Sequence, residues 1–288
     1  MKIKSYLKLA RIKHWLKNVL VFLPLVFGLQ IFDVNKLIIT LLGTLSFCFI
    51  SSAVYIINDI KDVENDKKHK VKKNRPIASG AITITEAIIF MLGLVVISLL
   101  INVLVIKSVW CVLLLILYLL INIAYSCKLK NVPILDIVIL VAGFVLRVVY
   151  GANLTGIELS KWLYLTVMSG SFFMGFGKRR NELLKQGNDT RKVLKYYSRE
   201  YLDKFMYVCL VLTIVFYTLW SIDETTISRL GNDYIVYTVP IVLVIFMKYC
   251  LNIEGDSYGD PVDVLTSDKI LIGLVLLFTM IMFLLMYI

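Results

Sequence analysis

At 288 residues, with 59% of them hydrophobic, only 18% charged and a mean hydropathy of +0.82, the chain is too apolar for a soluble globular domain and reads as an integral membrane protein. Its formal charge of +11 lies mostly in short connecting loops, so it reports topology and contact with a membrane surface rather than nucleic-acid binding. The five cysteines, Cys48, Cys111, Cys127, Cys209 and Cys250, are scattered without a C-x-x-C pair, which argues against a disulfide framework or a zinc site and leaves them as small core residues.

In chain order, residues 1–16 mix Lys2, Lys4, Lys8, Arg11 and Lys13 with Ile3, Tyr6, Leu7, Leu9, Ile12 and Trp15, the pattern of an amphipathic helix lying among lipid headgroups. No small-x-small cleavage site follows it, so it is expected to be retained as the lead-in to the first span. Continuous apolar runs then predict nine spans, at 19–32, 37–57, 87–106, 109–124, 134–152, 162–177, 205–222, 234–250 and 270–288. Several are shorter than the roughly 20 residues a span needs, so flanking turns must lengthen them or the bundle must bury their polar ends. The expected fold is therefore all-α, a polytopic nine-helix bundle. No Pro/Gly/Ser-rich linker divides it, so residues 1–288 are expected to form one domain.

Across these nine spans, 26 Lys and Arg residues fall on one side and 4 on the other, with Arg147 inside a span. The excess marks the cytoplasmic side. It places the N-terminus and the long polar loops in the cytoplasm, and the C-terminus outside the cell membrane.

The most specific stretch is 58–80, where an apolar run ends in an acidic cluster followed by a basic one. If 53–68 is helical, Asn58, Asp62 and Asp66 fall at successive i, i+4 positions, with Asp59 one step round. Carboxylates this close repel unless a cation sits between them, and hard oxygen ligands suit a magnesium ion that already carries a phosphate. A solvated helix end paired to Lys61, Lys67 and Lys68 is the plainer alternative. Unpaired carboxylates at the edge of a bilayer are costly, and Arg75-Pro76-Ile77-Ala78-Ser79-Gly80 follows directly. Both facts favour a metal-bound diphosphate.

Asn58-Asp59-x-x-Asp62-x-x-x-Asp66, with His69, Lys72 and Arg75-Pro76 after it, resembles the first aspartate motif of the UbiA superfamily of intramembrane prenyltransferases. That resemblance implies nine transmembrane helices, an active-site cavity facing the cytoplasm, and magnesium holding a diphosphate. Arg11-x-x-His14-Trp15-x-Lys17-Asn18, Tyr125-Ser126-x-x-Leu129-Lys130 with Asp136, Gly143-Phe144-x-x-Arg147 and Gly177-Lys178-Arg179-x-x-Glu182 resemble one branch of the superfamily, the one that makes decaprenylphosphoryl-5-phosphoribose. The resemblance implies transfer of 5-phosphoribose from phosphoribosyl pyrophosphate to a polyprenyl phosphate, as a step toward cell-envelope polysaccharide precursors. It leaves homo-oligomerisation open.

Aromatic prenyltransferases of the superfamily carry a second acidic motif after the sixth span, where this chain has Lys178, Arg179, Arg180 and Glu182. Cationic side chains there suit a phosphate that brings no metal of its own; the ordinary cytoplasmic excess of positive charge is the alternative. Lys17 and Asn18 are placed to meet a lipid phosphate headgroup, or Lys17 simply snorkels. Tyr125, Lys130 and Asp136 flank the next cytoplasmic turn. Arg147 lies roughly 16 Å along a helix from Asp136, inside the bilayer, either as a phosphate ligand or in a structural pairing. Asp256, Asp260, Asp263 and Asp268 stand beside Gly255, Gly259 and Pro261, either as a further metal-facing cluster or, as carboxylates in such loops usually do, making turns.

The expected chemistry is substitution at the ribose anomeric carbon. Asp59, Asp62 and Asp66, with Asn58, hold magnesium on the leaving diphosphate, and an anionic lipid phosphate attacks without a general base. Two rivals stay open: a prenyltransferase moving a prenyl group from its diphosphate to an aromatic or other acceptor, and a transporter with no chemistry. A transporter would spread polar residues through several spans, whereas here they gather at one face.

Overall fold

The computed structural model describes residues 2–68, 72–186, 191–255 and 259–288; His69 and Asp256, both singled out above, lie outside them. The chain begins with a short helix, α1 (Lys2–Leu9). It stops because Arg11 adopts a left-handed backbone with φ of 52°, through which a right-handed helix cannot continue. A 3-10 segment, Ile12–Phe22, and a five-residue helix, α2 (Leu23–Phe27), follow. The interfacial helix expected over 1–16 is thus shorter, and the span expected at 19–32 is not one continuous α-helix. Pro24, which has no N–H to give to the preceding turn, stands in the first turn of α2.

The first long helix, α3 (Val34–Lys61), starts at Asp33, whose carboxylate accepts from the N–H groups of Asn35 and Lys36 at 3.0 and 3.1 Å and so satisfies two donors that a helix start leaves orphaned. After α4 (Val63–Lys68), a Thr83–Glu86 capping box opens α5 (Ile84–Leu100), which continues through a π-helical turn, Ile101–Ile106. Next come α6 (Val109–Cys127), α7 (Leu135–Thr155), α8 (Lys161–Gln186), α9 (Arg199–Ser221) and α10 (Glu224–Leu230). The chain ends with α11 (Val239–Glu254), entered through a 3-10 turn at Tyr234–Thr238, α12 (Pro261–Ser267) and α13 (Lys269–Tyr287).

Among the described residues no strand occurs, and seven helices are long and apolar enough to cross a membrane. These are α3, α5, α6, α7, α9, α11 and α13. The 26-residue α8 is long enough, but Lys178, Arg179, Arg180, Glu182 and Lys185 load its last turns with charge. Large apolar side chains such as Ile89, Leu92, Val96, Leu276 and Met280 are exposed, as lipid-facing positions require.

The chain divides into two compact units, residues 1–130 with 146–158 and residues 131–145 with 159–288. In the first, α3 packs along α5, and Tyr118 and Tyr150 meet the Phe47 ring tilted and edge-on at the centre of a core that includes Val21, Cys111 and Leu115. Lipid gives packed helices no hydrophobic drive, so close approach at small residues has to supply the attraction. Gly151 on α7 provides one such place: a Cβ there would lie 2.0 Å from the carbonyl oxygen of Val21. In the second unit α8 runs along α9 over a core of Ile137, Phe173, Leu194, Leu202 and Met206. Cys48, Cys111 and Cys209 are buried as expected, but Cys127 is exposed, because it ends α6 at the polar edge, where the Lys61 ammonium reaches its sulfur at 2.6 Å.

Candidate active site

The acidic motif sits where α3 hands over to α4. Asp62 interrupts the helix with φ −94° and ψ 7°, yet Asp62 N–H still bonds to the Asn58 carbonyl at 2.9 Å and Asp66 N–H to the Asp62 carbonyl at 2.8 Å. Helical spacing therefore carries through, and Asp59 and Asp66, two turns apart, come to one face. A single atom joins them: Arg75 Nη1 lies 3.1 Å from Asp59 Oδ1 and 2.7 Å from Asp66 Oδ2. Arg11 Nη2 reaches the same Asp59 oxygen at 2.5 Å. Asp62 turns to a separate partner, Lys130 Nζ, at 3.0 Å. The carboxylates of Asp59 and Asp66 are nearly buried, at 3% and 4% exposure, and that of Asp62 is 34% exposed.

Among the described residues, the cations that meet these acids are distant in sequence or lie beyond α4. The neighbouring lysines do not neutralise the motif: Lys67 pairs with Glu64 at 2.8 Å and Lys61 meets Cys127. The neutralising cations come from the N-terminal segment, the Arg75 turn and the turn after α6. The pairing also runs between Asp59 and Asp66 rather than along the Asn58, Asp62, Asp66 row. Asn58 is engaged through its amide by Ser126 of α6, whose hydroxyl also bonds the Asn122 carbonyl at 2.7 Å.

Among the described residues no three His, Cys, Asp or Glu side chains form a ready metal cage. The donor set nevertheless fits a hard divalent cation. Asp59 and Asp66 turn one oxygen each toward a single cationic nitrogen, and such a pair could serve as hard oxygen ligands. Asp62 and Asn58 of the same helix end carry further oxygen donors.

Deeper in the same unit, the Arg147 guanidinium is buried. It donates from Nε to Asn18 Oδ1 at 2.8 Å and from Nη2 to the Tyr118 hydroxyl at 3.1 Å, and it stands over the rings of Phe47 and Tyr118 at 4.9 and 5.1 Å. Asn18 is itself fully buried and donates to Cys48 and Ser51. Both residues are thus built into an intramembrane polar core. Lys17 and Tyr125 are half-buried.

In the second unit, Lys178, Arg179 and Glu182 lie on the helix α8 rather than in a loop. Arg179 has no exposed surface: its Nε bonds Asp136 Oδ2 and its Nη1 lies 2.8 Å from Glu182 Oε2. The guanidinium expected as a phosphate contact is thus held by two acids of its own unit. Asp136 takes a second bond, 2.6 Å, from the Tyr197 hydroxyl, which in turn accepts the Ile134 N–H at 2.6 Å. Burial, with the bond to Asp136, pushes the Tyr197 phenol above its ordinary pKa. Arg180 pairs with Asp203. Lys178 reaches Asp260 Oδ2 at 3.1 Å and stays 25% exposed. Asp260 and Asp268 cap α12 and α13, the turn-making role expected of them.

Sequence reasoning had Arg11 only as part of a motif and gave Ser126 and Tyr197 no role. Their partners lie 48, 68 and 61 residues away, beyond any local periodicity. The one available signal was that an acidic helix end at a membrane must find cations somewhere.

Comparison with known proteins shows the family and the fold. The profile described as "UbiA prenyltransferase family" matches residues 19–265. The chain is 34% identical over 271 residues to the decaprenyl-phosphate phosphoribosyltransferase of Corynebacterium glutamicum, covering 92% of this chain and 81% of that protein. It is 30% identical over 281 residues to the enzyme of the same name from Mycobacterium tuberculosis, covering 93% and 90%. Among solved structures, a UbiA homolog from Archaeoglobus fulgidus bound to DMAPP and Mg2+ superposes with a TM-score of 0.69 over 99% of both chains at 19% identity, which shows the shared fold.

Proposed function

Because the chain belongs to the UbiA prenyltransferase family, we propose that it transfers 5-phosphoribose from phosphoribosyl pyrophosphate to a polyprenyl phosphate, releasing diphosphate. The single observation that carries the choice of donor is whole-length similarity to two proteins named decaprenyl-phosphate phosphoribosyltransferase. A feature of α8 supports it: the helix contains no aspartate and ends in Lys178, Arg179, Arg180 and Glu182, so it lacks the acidic pair that a second metal on a prenyl diphosphate would need. The product is an activated sugar lipid of the kind from which envelope polysaccharides are built.

Asp59, Asp62 and Asp66, with the Asn58 amide, would hold Mg2+ on the diphosphate of the donor. When bound, the metal neutralises charge that develops on the departing diphosphate. Arg75 orients that group through its planar fork. As the C1–O bond loosens, a lipid phosphate oxygen, already anionic at neutral pH, attacks from the opposite face with inversion, so no base has to remove a proton. Lys17, Lys130 and Lys178 are proposed as ligands for the remaining phosphates, the acceptor's and the ribose 5-phosphate. Arg147 and Asn18 are proposed to brace the buried polar core of the first unit. Arg179, held by Asp136 and Glu182, is proposed as a support that fixes the end of α8.

The nine-helix count, with the N-terminal 3-10 segment plus α2 and α8 added to the seven apolar spans, belongs to the same proposal. So do one functional domain across both units, a cytoplasmic N-terminus and a cytoplasm-facing site in the cell membrane.

The test supplies purified protein with labelled phosphoribosyl pyrophosphate and a polyprenyl phosphate, and in parallel with a prenyl diphosphate and an aromatic acid. Label entering lipid only in the first mixture supports the proposal. Product only in the second replaces it with prenyl transfer.

A further inference from the structure

Arg11 and Arg75 converge on one oxygen. Arg11 Nη2 is 2.5 Å and Arg75 Nη1 3.1 Å from Asp59 Oδ1, while the carboxylate beneath is 3% exposed and the two arginine side chains are 22% and 27% exposed. Two guanidinium groups and two carboxylates thus balance one another in charge, with Arg75 shared between Asp59 and Asp66. The Arg11 side chain is braced in this position. Its backbone is left-handed, and its guanidinium lies over the ring of Tyr55 at 4.8 Å, one helical turn before Asp59 on α3.

We infer that Arg11, paired here with Asp59, is a diphosphate-binding residue that turns to the substrate when the metal-bound diphosphate arrives. This rests on the reading that the acidic end takes a metal-bound diphosphate, but not on which group that diphosphate activates. A divalent cation on Asp59 and Asp66 would cancel the negative charge that the two guanidinium groups otherwise balance. They repel the cation and need another anion. The nearest one is the diphosphate that the same cation carries, and a guanidinium fork matches its oxygens. The acidic end therefore exchanges counter-ions, with Arg11 competing against the metal before substrate binds and assisting the diphosphate afterwards.

This exchange predicts effects of opposite sign from one substitution, which a purely structural role would not produce. Calorimetric titrations of the purified full-length protein with Mn2+ alone, and with inorganic diphosphate at saturating Mn2+, measure both. Arg11→Gln is expected to bind Mn2+ alone several-fold more tightly and to bind diphosphate about tenfold or more weakly. Arg11→Lys, which keeps the charge but loses the fork, is expected to recover part of the diphosphate affinity. Unchanged diphosphate affinity in Arg11→Gln overturns the inference, and so does parallel weakening of both ligands. If the unaltered protein binds no diphosphate with Mn2+, the acidic-end reading falls and takes this inference with it. A prenyl rather than phosphoribosyl donor in the transfer assay leaves the titrations standing, because both donors carry diphosphate.

Discussion

Lys130 Nζ lies 3.0 Å from Asp62 Oδ1, tying the turn after α6 to the break between α3 and α4. Asp62 is the most open carboxylate of the motif, at 34% exposure, so its replacement disturbs packing least. Asp62→Asn is expected to lower kcat/KM by about 100-fold or more, with an unchanged melting temperature. Full turnover with Mg2+ in that variant would remove Asp62 from the metal-holding set.

The buried pair in the second unit makes a contrasting prediction. Arg179 and Asp136 are both without exposure, and removing the Asp136 charge leaves Arg179 with only Glu182 of the two acids that hold it. Asp136→Asn is expected to cost about 1.5 to 3 kcal/mol of stability, measured by thermal unfolding in detergent. Combining Asp136→Leu with Arg179→Met is expected to recover part of that loss, since Glu182 then keeps only the longer pairing to Arg191 at 3.7 Å.

Close packing at Gly151 gives a third outcome. An added Cβ would stand 2.0 Å from the backbone oxygen of Val21, which cannot swing aside as a side chain could. Gly151→Ala is expected to destabilise the protein by about 1 to 3 kcal/mol. Gly93, whose Cβ would meet nothing within 4 Å, should accept alanine with no loss.

Acid stability offers a fourth. The hydrogen bond from Lys248, then the backbone N–H groups at the start of α13, hold the Asp268 carboxyl down at about 2. A carboxylate with a depressed folded-state pKa stabilises above its unfolded value of about 3.9 and loses that contribution as pH falls through its folded value. Asp268→Asn is therefore expected to lower the melting temperature at pH 6 and to converge with the unaltered protein near pH 2.

Much of the membrane architecture was legible because an apolar run is a one-dimensional signal. The spans expected at 87–106, 109–124 and 134–152 became α5 with its π turn, α6 and α7 with ends moved by a few residues. The span expected at 162–177 instead became a helix reaching Gln186, because charges that read as a loop can stay helical when each meets an acid. Lys178, Arg179 and Arg180 find Asp260, Asp136 and Asp203, and nothing local announces those partners. Likewise, the acidic motif was readable from helical spacing, but its cations were not. Arg11 reaches Asp59 only because the chain leaves α1 through a left-handed residue, a turn that no hydrophobic pattern encodes.

The most direct test of phosphoribosyl transfer is the mass of the lipid product formed when the purified protein, Mg2+, phosphoribosyl pyrophosphate and decaprenyl phosphate are incubated together. The account predicts a lipid heavier than the acceptor by one phosphoribosyl group, formed with one equivalent of diphosphate. Acceptor recovered unmodified, while the same preparation joins a prenyl diphosphate to an aromatic acid, would contradict it.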